Sequence, residues 1–367
     1  MTIRWRRLAT AVVAATAVAA CGAQAGQPSG DTGSHASTTP LSELSPLAAP
    51  RAYEGPSTAV LADRTVEPLE TVAKPSLPAT VTSHDRGGDK KVQVTDASRV
   101  LALDISGTLS ATVWGLGQGD LLVGKDVSTT FPGTEDLPVV TSNGHSLNAE
   151  SILKVRPTLV ITDGSIGPRD VVEQLRETGV TVVFVDNDPS FDGTLQMTRE
   201  VAAALGVPES GERLADRISS EVEAARTEIE RFVPQAEQDR VSMAFLYLRG
   251  TSGVYYILGE DSGVGELIEG LGGVDVAKEL GWSDMRPLTD EAVVSADPDL
   301  FLVMTDGLKS VGGVDQLLAE KPSIALTTAG KHRRFVDMAD GDVLSFGPRS
   351  AGVLEALARA VYAPDAS

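Results

Sequence analysis

The sequence predicts an α/β protein of two similar lobes, each built on a parallel sheet, joined by one long helix. Three observations carry this. From about Val92 onward, short apolar runs alternate with stretches of helical periodicity, the pattern of strands and helices laid down in turn. The stretch Arg156-Pro157-Thr158-Leu159-Val160-Ile161-Thr162-Asp163-Gly164 is echoed by Asp297-Pro298-Asp299-Leu300-Phe301-Leu302-Val303-Met304-Thr305-Asp306-Gly307. Each copy reads as a helix end, a proline, an apolar strand and a Thr-Asp-Gly turn before another helix. Between the copies, Leu214, Ile218, Val222, Ala225, Ile229 and Phe232 recur at helical spacing among charges, bounded by Pro208 and Pro234. That is about 25 residues and about 40 Å of helix, a stiff joint that disfavours wide hinge closure.

Taken from the N-terminus, Arg4, Arg6 and Arg7 precede the apolar run Leu8 to Ala20, which ends Val18-Ala19-Ala20-Cys21. The run is shorter than the roughly 20 residues a spanning helix needs. Residues 1–20 resemble a bacterial lipoprotein signal, after which Cys21 is lipidated and becomes the first mature residue; a secretory signal with an incidental cysteine is the competing reading. The lipoprotein reading places the protein on the extracytoplasmic face of the cell membrane, held by acyl chains. From Gly22 to about Lys91, Ser, Thr, Pro, Ala and Gly dominate without a sustained period, so residues 21–91 read as the lipidated cysteine and a disordered tether, with His35 and His84 as solvated bystanders.

The first lobe is expected over residues 92–207. Strands are expected at Arg99 to Asp104, Leu121 to Val123, Thr158 to Thr162 and Val180 to Val185. Helices are expected at Thr108 to Leu116, Ala149 to Val155 and Pro168 to Thr178. The GLGQG run from Gly115 follows a helix rather than a strand, so its glycines end that helix instead of forming a dinucleotide fingerprint. Residues 208–234 form the connecting helix and residues 235–367 the second lobe.

The chain of 367 residues, 42% hydrophobic, is long enough for two cores. Its formal net charge of −20 argues against nucleic acid as a partner and means that an anionic ligand must be held by local arginines. Cys21 is the single cysteine, so metal chemistry must use His, Tyr, Met or carboxylates. The motifs of a nucleophile elbow, a phosphate loop or an HExxH zinc site do not occur, which disfavours an enzyme.

In the strand stretch Phe245-Leu246-Tyr247-Leu248-Arg249, residues two apart share a face, so Tyr247 and Arg249 emerge side by side. Either the tyrosine fills core while the arginine snorkels to water, or a phenolate ligand is held beside a cation. His145 lies between Gly144 and Ser146 in a loop before a helix start, and Met304 ends a strand at the edge where ligands of open α/β sheets bind. One of Tyr255 and Tyr256 is a candidate to face a ligand. Ser106, Thr108, Ser128 to Phe131 and Ser165 to Gly167 are expected to line the cleft. Arg349 is a candidate to meet a ligand carboxylate, with a surface arginine as the equal alternative, and His332 with Arg333 and Arg334 reads as a solvated turn.

A lipobox, a tether and two Rossmann-like lobes on one backbone helix resemble the class III substrate-binding proteins of ABC importers. From about Ser98 to Ala363 the chain resembles the haem-uptake lipoproteins of actinobacteria, the corynebacterial type in particular. The matching stretches are SNGHSLNAE around His145, FLYLRG with Tyr247 and Arg249, and FLVMTDG with Met304. The resemblance implies that His145 and Tyr247 are the axial ligands of iron(III) in haem b, that Arg249 hydrogen bonds to the tyrosine oxygen and that Met304 packs near the haem. It also implies delivery to an ABC permease and its ATPase by a monomer, with surface haem-binding proteins as candidate donors. Glu150 in the first lobe and Glu266 or Glu269 in the second would dock on the permease. Histidine and tyrosine are both established haem ligands. A ferric siderophore or cobalamin on the same fold is the alternative cargo.

Overall fold

Apolar runs of four or five residues, buried on both faces, are what parallel strands are made of, and the computed structural model, which describes residues 39–142 and 144–366, builds both lobes from them. The strands in chain order are β1 (Ser57–Ala59), β2 (Ala79–Ser83), β3 (Lys90–Val94), β4 (Val100–Leu103), β5 (Thr141–Ser142), β6 (Ser146–Leu147), β7 (Leu159–Thr162), β8 (Thr181–Phe184), β9 (Ser242–Arg249), β10 (Val254–Ile257), β11 (Val274–Asp275), β12 (Arg286–Pro287), β13 (Leu300–Met304) and β14 (Phe335–Met338). The first lobe has a parallel sheet in the order β4-β7-β8 and the second a sheet in the order β1-β14-β13-β9-β10-β12, with β11 also on β9. In the second sheet β13 runs parallel to both β9 and β14, while β10 is antiparallel to β9. The two parallel cores therefore each deliver their strand ends to one edge.

The six helices up to the second lobe's first are α1 (Thr108–Gly115), α2 (Ala149–Lys154), α3 (Arg169–Glu177), α4 (Phe191–Ala204), α5 (Pro208–Glu230) and α6 (Val264–Gly270). Asn148 caps α2 by accepting from the Ser151 amide at 2.9 Å. The connecting helix α5 starts at Pro208 as expected, and Leu214, Ile218, Val222, Ala225 and Ile229 form its buried stripe. It stops at Glu230, so its 23 residues span about 35 Å, and it packs on α4 and on the last helix, Ser350–Tyr362.

The internal echo is structural at its start. Arg156 and Asp297 both take positive φ, 47° and 30°, ending a helix in the left-handed conformation before a proline that cannot continue it. The copies diverge afterwards, since Thr305–Ser310 is already helical whereas Gly164 turns at φ 78°. Gly117, at φ 75°, closes α1 as expected. The strand expected at Leu121 to Val123 is reduced to a parallel bridge between Leu122 and Val100, because a 3-10 turn occupies Gly119–Leu121.

Two expectations are corrected in the N-terminal segment. The described residues belong to one compact unit, and the stretch read as a tether to Lys91 is packed from Leu41 onward. β1 pairs in parallel with β14, Arg51 forms an ion pair with Asp299 at 2.8 Å, and Leu41, Leu61 and Val66 are buried. The chain then passes to the first lobe, where the Leu69 amide donates to Gly115, Gln118 donates to Ala73, and the Ser76 amide donates to Gly206, each at 2.8 Å. Between the lobes, Arg64 reaches Thr130 of the first at 2.9 Å and Asp342 of the second at 3.3 Å. Each contact comes from a partner distant in sequence, so no periodicity announces it. His84 is likewise no bystander. It sits between Asp89 at 3.1 Å and Glu200 at 3.2 Å; burial works against its charge, and the two carboxylates outweigh burial and raise its pKa. Arg334, read as part of a solvated turn, is 2% exposed and donates to the carbonyls of Gly55, Ala360 and Val361 and to the Ser57 hydroxyl. His332 itself is half-buried at the end of Thr328–His332. Cys21, His35 and the leader lie outside the described residues. Among the described residues no helix is long and apolar enough to cross a membrane.

At the edge of the first sheet three aspartates organise the loops. Asp104 accepts the amides of Ser106, Thr108 and Leu109 at 3.0 to 3.2 Å. Asp126 accepts the amides of Asp104 and Thr129, and Asp163 the amide and hydroxyl of Ser165. Burial, followed by the charge of Asp104, pushes Asp126 up to about 7 and Asp163 to about 6; burial also raises Asp104, against its hydrogen bonds.

Two outcomes are expected from these contacts. Arg334→Ala removes the donor from two buried and two half-buried oxygens and is expected to cost roughly 3 kcal/mol in urea unfolding, while trypsin cuts faster after Arg51; wild-type rates would show that β1 is held without it. Unfolded carboxylates titrate near 3.9, so the folded chain keeps protons at Asp126 and Asp163 that the unfolded chain releases from about pH 4 to about pH 7, and this contribution to stability is lost as pH rises through that window. The stability of Asp126→Asn relative to wild type is therefore expected to improve as pH rises from about 5 to about 7.5. A difference independent of pH would show that this carboxyl is not perturbed.

Candidate functional site

The alternation at the end of β9 places the central pair. Leu248 is buried on one face while Tyr247 and Arg249 are half-buried on the other. The Arg249 guanidinium carbon lies 4.6 Å from the centroid of the Tyr247 ring, a cation–π stack. One terminal nitrogen donates to the Leu248 carbonyl at 2.9 Å, and the other lies 3.5 Å from the Met304 sulfur and 3.1 Å from the Asp340 carboxylate. The Tyr247 ring packs against the core, and its hydroxyl makes no hydrogen bond among the described residues. Tyr256 stands opposite Tyr247 in the β9–β10 ladder, whereas Tyr255 stands opposite Leu248 and lies under Lys321 at 4.3 Å. Tyr256 is thus the member of that pair on the Tyr247 face.

His145 approaches from the other lobe. It sits in the turn between β5 and β6, next to Gly144 at φ 84°, which only glycine adopts at little cost. Its Nδ1 is enclosed with no hydrogen-bond partner among the described residues. Burial and then the charge of Arg249 lower its pKa, against the opposing charges of Asp104 and Asp340. An imidazole held neutral is one ready to coordinate. The first lobe also exposes Ile105 and Val127, which follow buried Asp104 and Asp126 and give this edge an apolar surface.

Other candidates are placed differently. Met304 is 7% exposed and lies beneath Arg249 rather than open to the cleft. Arg349 corrects the expectation of a free cation: it is 5% exposed, is paired with Asp342 at 2.7 Å and donates to the Ser345 hydroxyl at 3.2 Å, so it is closed to a ligand carboxylate. Glu150 is exposed in the first turn of α2. Glu266 opens α6, with Arg226 at 3.8 Å, while Glu269 is closed by Lys278. Asp340 was not singled out from the sequence, where nothing marks one aspartate in an Ala-Asp-Gly-Asp turn.

A cavity of about 150 Å³ lies between the lobes, with Asp104, Ser106, Thr108 and Asp163 on one side and Ser262, Leu344 and Phe346 on the other. It is smaller than an ordinary ligand pocket, and none of His145, Tyr247, Arg249 or Met304 lines it. A cavity of about 450 Å³ between Arg226, Arg240 and Glu269 adjoins the opposite end of β9.

Comparison with known proteins places the chain in a family. The chain is 44% identical to the haem-binding protein HmuT, covering 86% of this chain and 99% of that one with a TM-score of 0.78. HmuT has also been solved with alanine in place of a histidine, a tyrosine and an arginine, the last two being two positions apart. The periplasmic haem-binding protein RhuT from Roseiflexus sp. RS-1 is 38% identical over 74% of this chain and 99% of its own, with a TM-score of 0.65. The ABC transporter substrate-binding lipoprotein YvrC of Bacillus subtilis, itself uncharacterized, is 27% identical over 255 residues, 69% of this chain and 76% of its own. The profile of the periplasmic binding proteins matches residues 103–340, and the chain belongs to that family, with the class III architecture of two α/β lobes on one backbone helix.

Proposed function

We propose that this protein captures ferric haem between its lobes, with His145 and Tyr247 as the two axial ligands, and delivers it to a membrane ABC permease for haem and iron uptake. The observation that carries the reading is the Tyr247 hydroxyl, without a hydrogen bond among the described residues and beside a guanidinium 4.6 Å from its ring, with an imidazole biased to its neutral form feeling the same charge from the opposite lobe. A phenol is neutral at pH 7; iron(III) displaces its proton and the guanidinium favours the resulting anion by roughly 1 to 4 kcal/mol, between the limits of water and a half-buried site. On this reading Arg249, stacked on the ring, turns to donate to that oxygen, and Tyr256 and Ile105 supply apolar surface for a macrocycle. The same reading anchors Cys21 in the outer face of the cell membrane by lipid. Glu150 and Glu266 are the docking pair it favours, because Lys278 already occupies Glu269.

Haemin titration followed by absorbance tests the ligands. Wild-type protein is expected to give a Soret band with a tyrosinate-to-iron charge-transfer band. Tyr247→Ala should lose the latter and bind weakest; His145→Ala should change the spectrum and leave residual binding; Arg249→Ala should weaken binding roughly tenfold, as loss of a group that supports a ligand does. A wild-type spectrum and affinity in His145→Ala would remove the histidine from the site, and uptake of a ferric siderophore or cobalamin with indifference to haemin would replace the cargo. For delivery, Glu150→Lys combined with Glu266→Lys is expected to abolish haem-dependent growth while haemin affinity stays at the wild-type value; undiminished growth would place docking elsewhere.

A further inference from the structure

Arg249 is held from outside the strand that carries it. Asp340 opens the helical turn Asp340–Val343, in the loop after β14, and pairs through one carboxylate oxygen with the Arg249 guanidinium at 3.1 Å. Its other oxygen accepts the backbone amide of Asp306 at 2.9 Å, so the carboxylate is held from behind with one oxygen turned to the guanidinium. Side chains of the pair are 30% and 26% exposed, which leaves the guanidinium room to shift. Asp342, two residues on, cannot take over this task, because Arg349 and Arg64 already engage it.

We propose that Asp340 is the resting counter-charge of Arg249, a positioning residue that competes with the Tyr247 phenolate for one guanidinium and so promotes haem release. This rests on the haem reading above. When iron binds, the phenol proton leaves to solvent, the oxygen replaces a water or hydroxide on the iron, and the guanidinium is drawn from the carboxylate toward the new phenolate. When haem leaves, the iron–oxygen bond breaks, the oxygen takes a proton from water, and the guanidinium settles back on the carboxylate. A cation half-removed from water is unfavourable without a partner, so the presence of Asp340 lowers the cost of giving up the phenolate. A carrier that must hand its cargo on is served by such a partner, since a guanidinium with no other anion would hold the liganded state.

The test is the rate at which haem passes to excess apomyoglobin, measured for wild type, Asp340→Asn, Asp340→Ala, Arg249→Ala and the Arg249→Ala/Asp340→Ala double variant. Both Asp340 variants are expected to release haem about fivefold more slowly, equivalent to about 1 kcal/mol, with the tyrosinate-to-iron band retained. In the absence of Arg249 the Asp340 substitution is expected to change nothing. Damage to a merely structural contact would loosen the site and speed release, the opposite sign. Release at or above the wild-type rate overturns the proposal, as does a slowing that persists without Arg249. A wild-type protein that takes up no haemin overturns the haem reading and this inference with it, whereas normal uptake with Asp340 variants that release at the wild-type rate removes only the role of Asp340.

Discussion

Within the described residues the polypeptide crosses between the lobes twice, and that constraint governs what the cleft can do. One crossing is α5, whose buried stripe is packed on α4 from the first lobe and on the last helix from the second. The other runs from β1, a strand of the second lobe's sheet, to β2, which pairs with β3 beside the first. Arg64 bridges the lobes along the way. A single flexible linker permits a hinge, because a few backbone dihedrals absorb the motion. Two packed connections do not, since opening the cleft widely would strip buried side chains from both. Recognition must therefore rely on groups already set at the facing edges, and parallel sheets supply such edges because the loops leave from the carboxyl ends of the strands.

The charges at those edges are local and opposed. A chain of net charge −20 presents Arg249 in the half-buried stack on Tyr247, beside a carboxylate that offsets it and an imidazole that responds to both. On the first-lobe side, buried Asp104 and Asp126 and half-buried Asp163 accept backbone amides, so they shape loops more than they project charge, and desolvation raises all three. The apolar neighbours Ile105 and Val127 are what this edge exposes. A planar, largely apolar ligand that bears a cationic centre suits such a division.

Legibility in the sequence followed the range of the interactions. The stripe of α5, the glycine that ends α1 and the shared face of Tyr247 and Arg249 are written in spacings of two to four residues, and the structure keeps all three. The echo from Arg156 and Asp297 was readable because a proline forces a similar helix end in both copies. The segment from Leu41 to Lys91 was not, because its order comes from partners such as Asp299, Gly115 and Gly206, and its own composition only says that it makes no core by itself. Asp340 was invisible for the same reason: its value lies in Arg249, some ninety positions earlier in the chain.

The arginines show why residue type alone cannot nominate a binding group. Arg249, Arg334 and Arg349 each follow or precede an apolar stretch and are alike as letters. Arg334 is enclosed by backbone carbonyls and a serine hydroxyl, and Arg349 by Asp342 and Ser345; burial lowers the pKa of both, and neither can turn to a ligand without leaving buried acceptors unpaired, a penalty of about 1 to 3 kcal/mol for each. Arg249 has one carbonyl, one thioether and one carboxylate, and its side chain remains 30% exposed. Its present partners are weaker or exchangeable, so exchanging one of them for a phenolate costs little. The number of acceptors already committed to a guanidinium, more than its position in a motif, decides whether it holds the fold or serves the ligand.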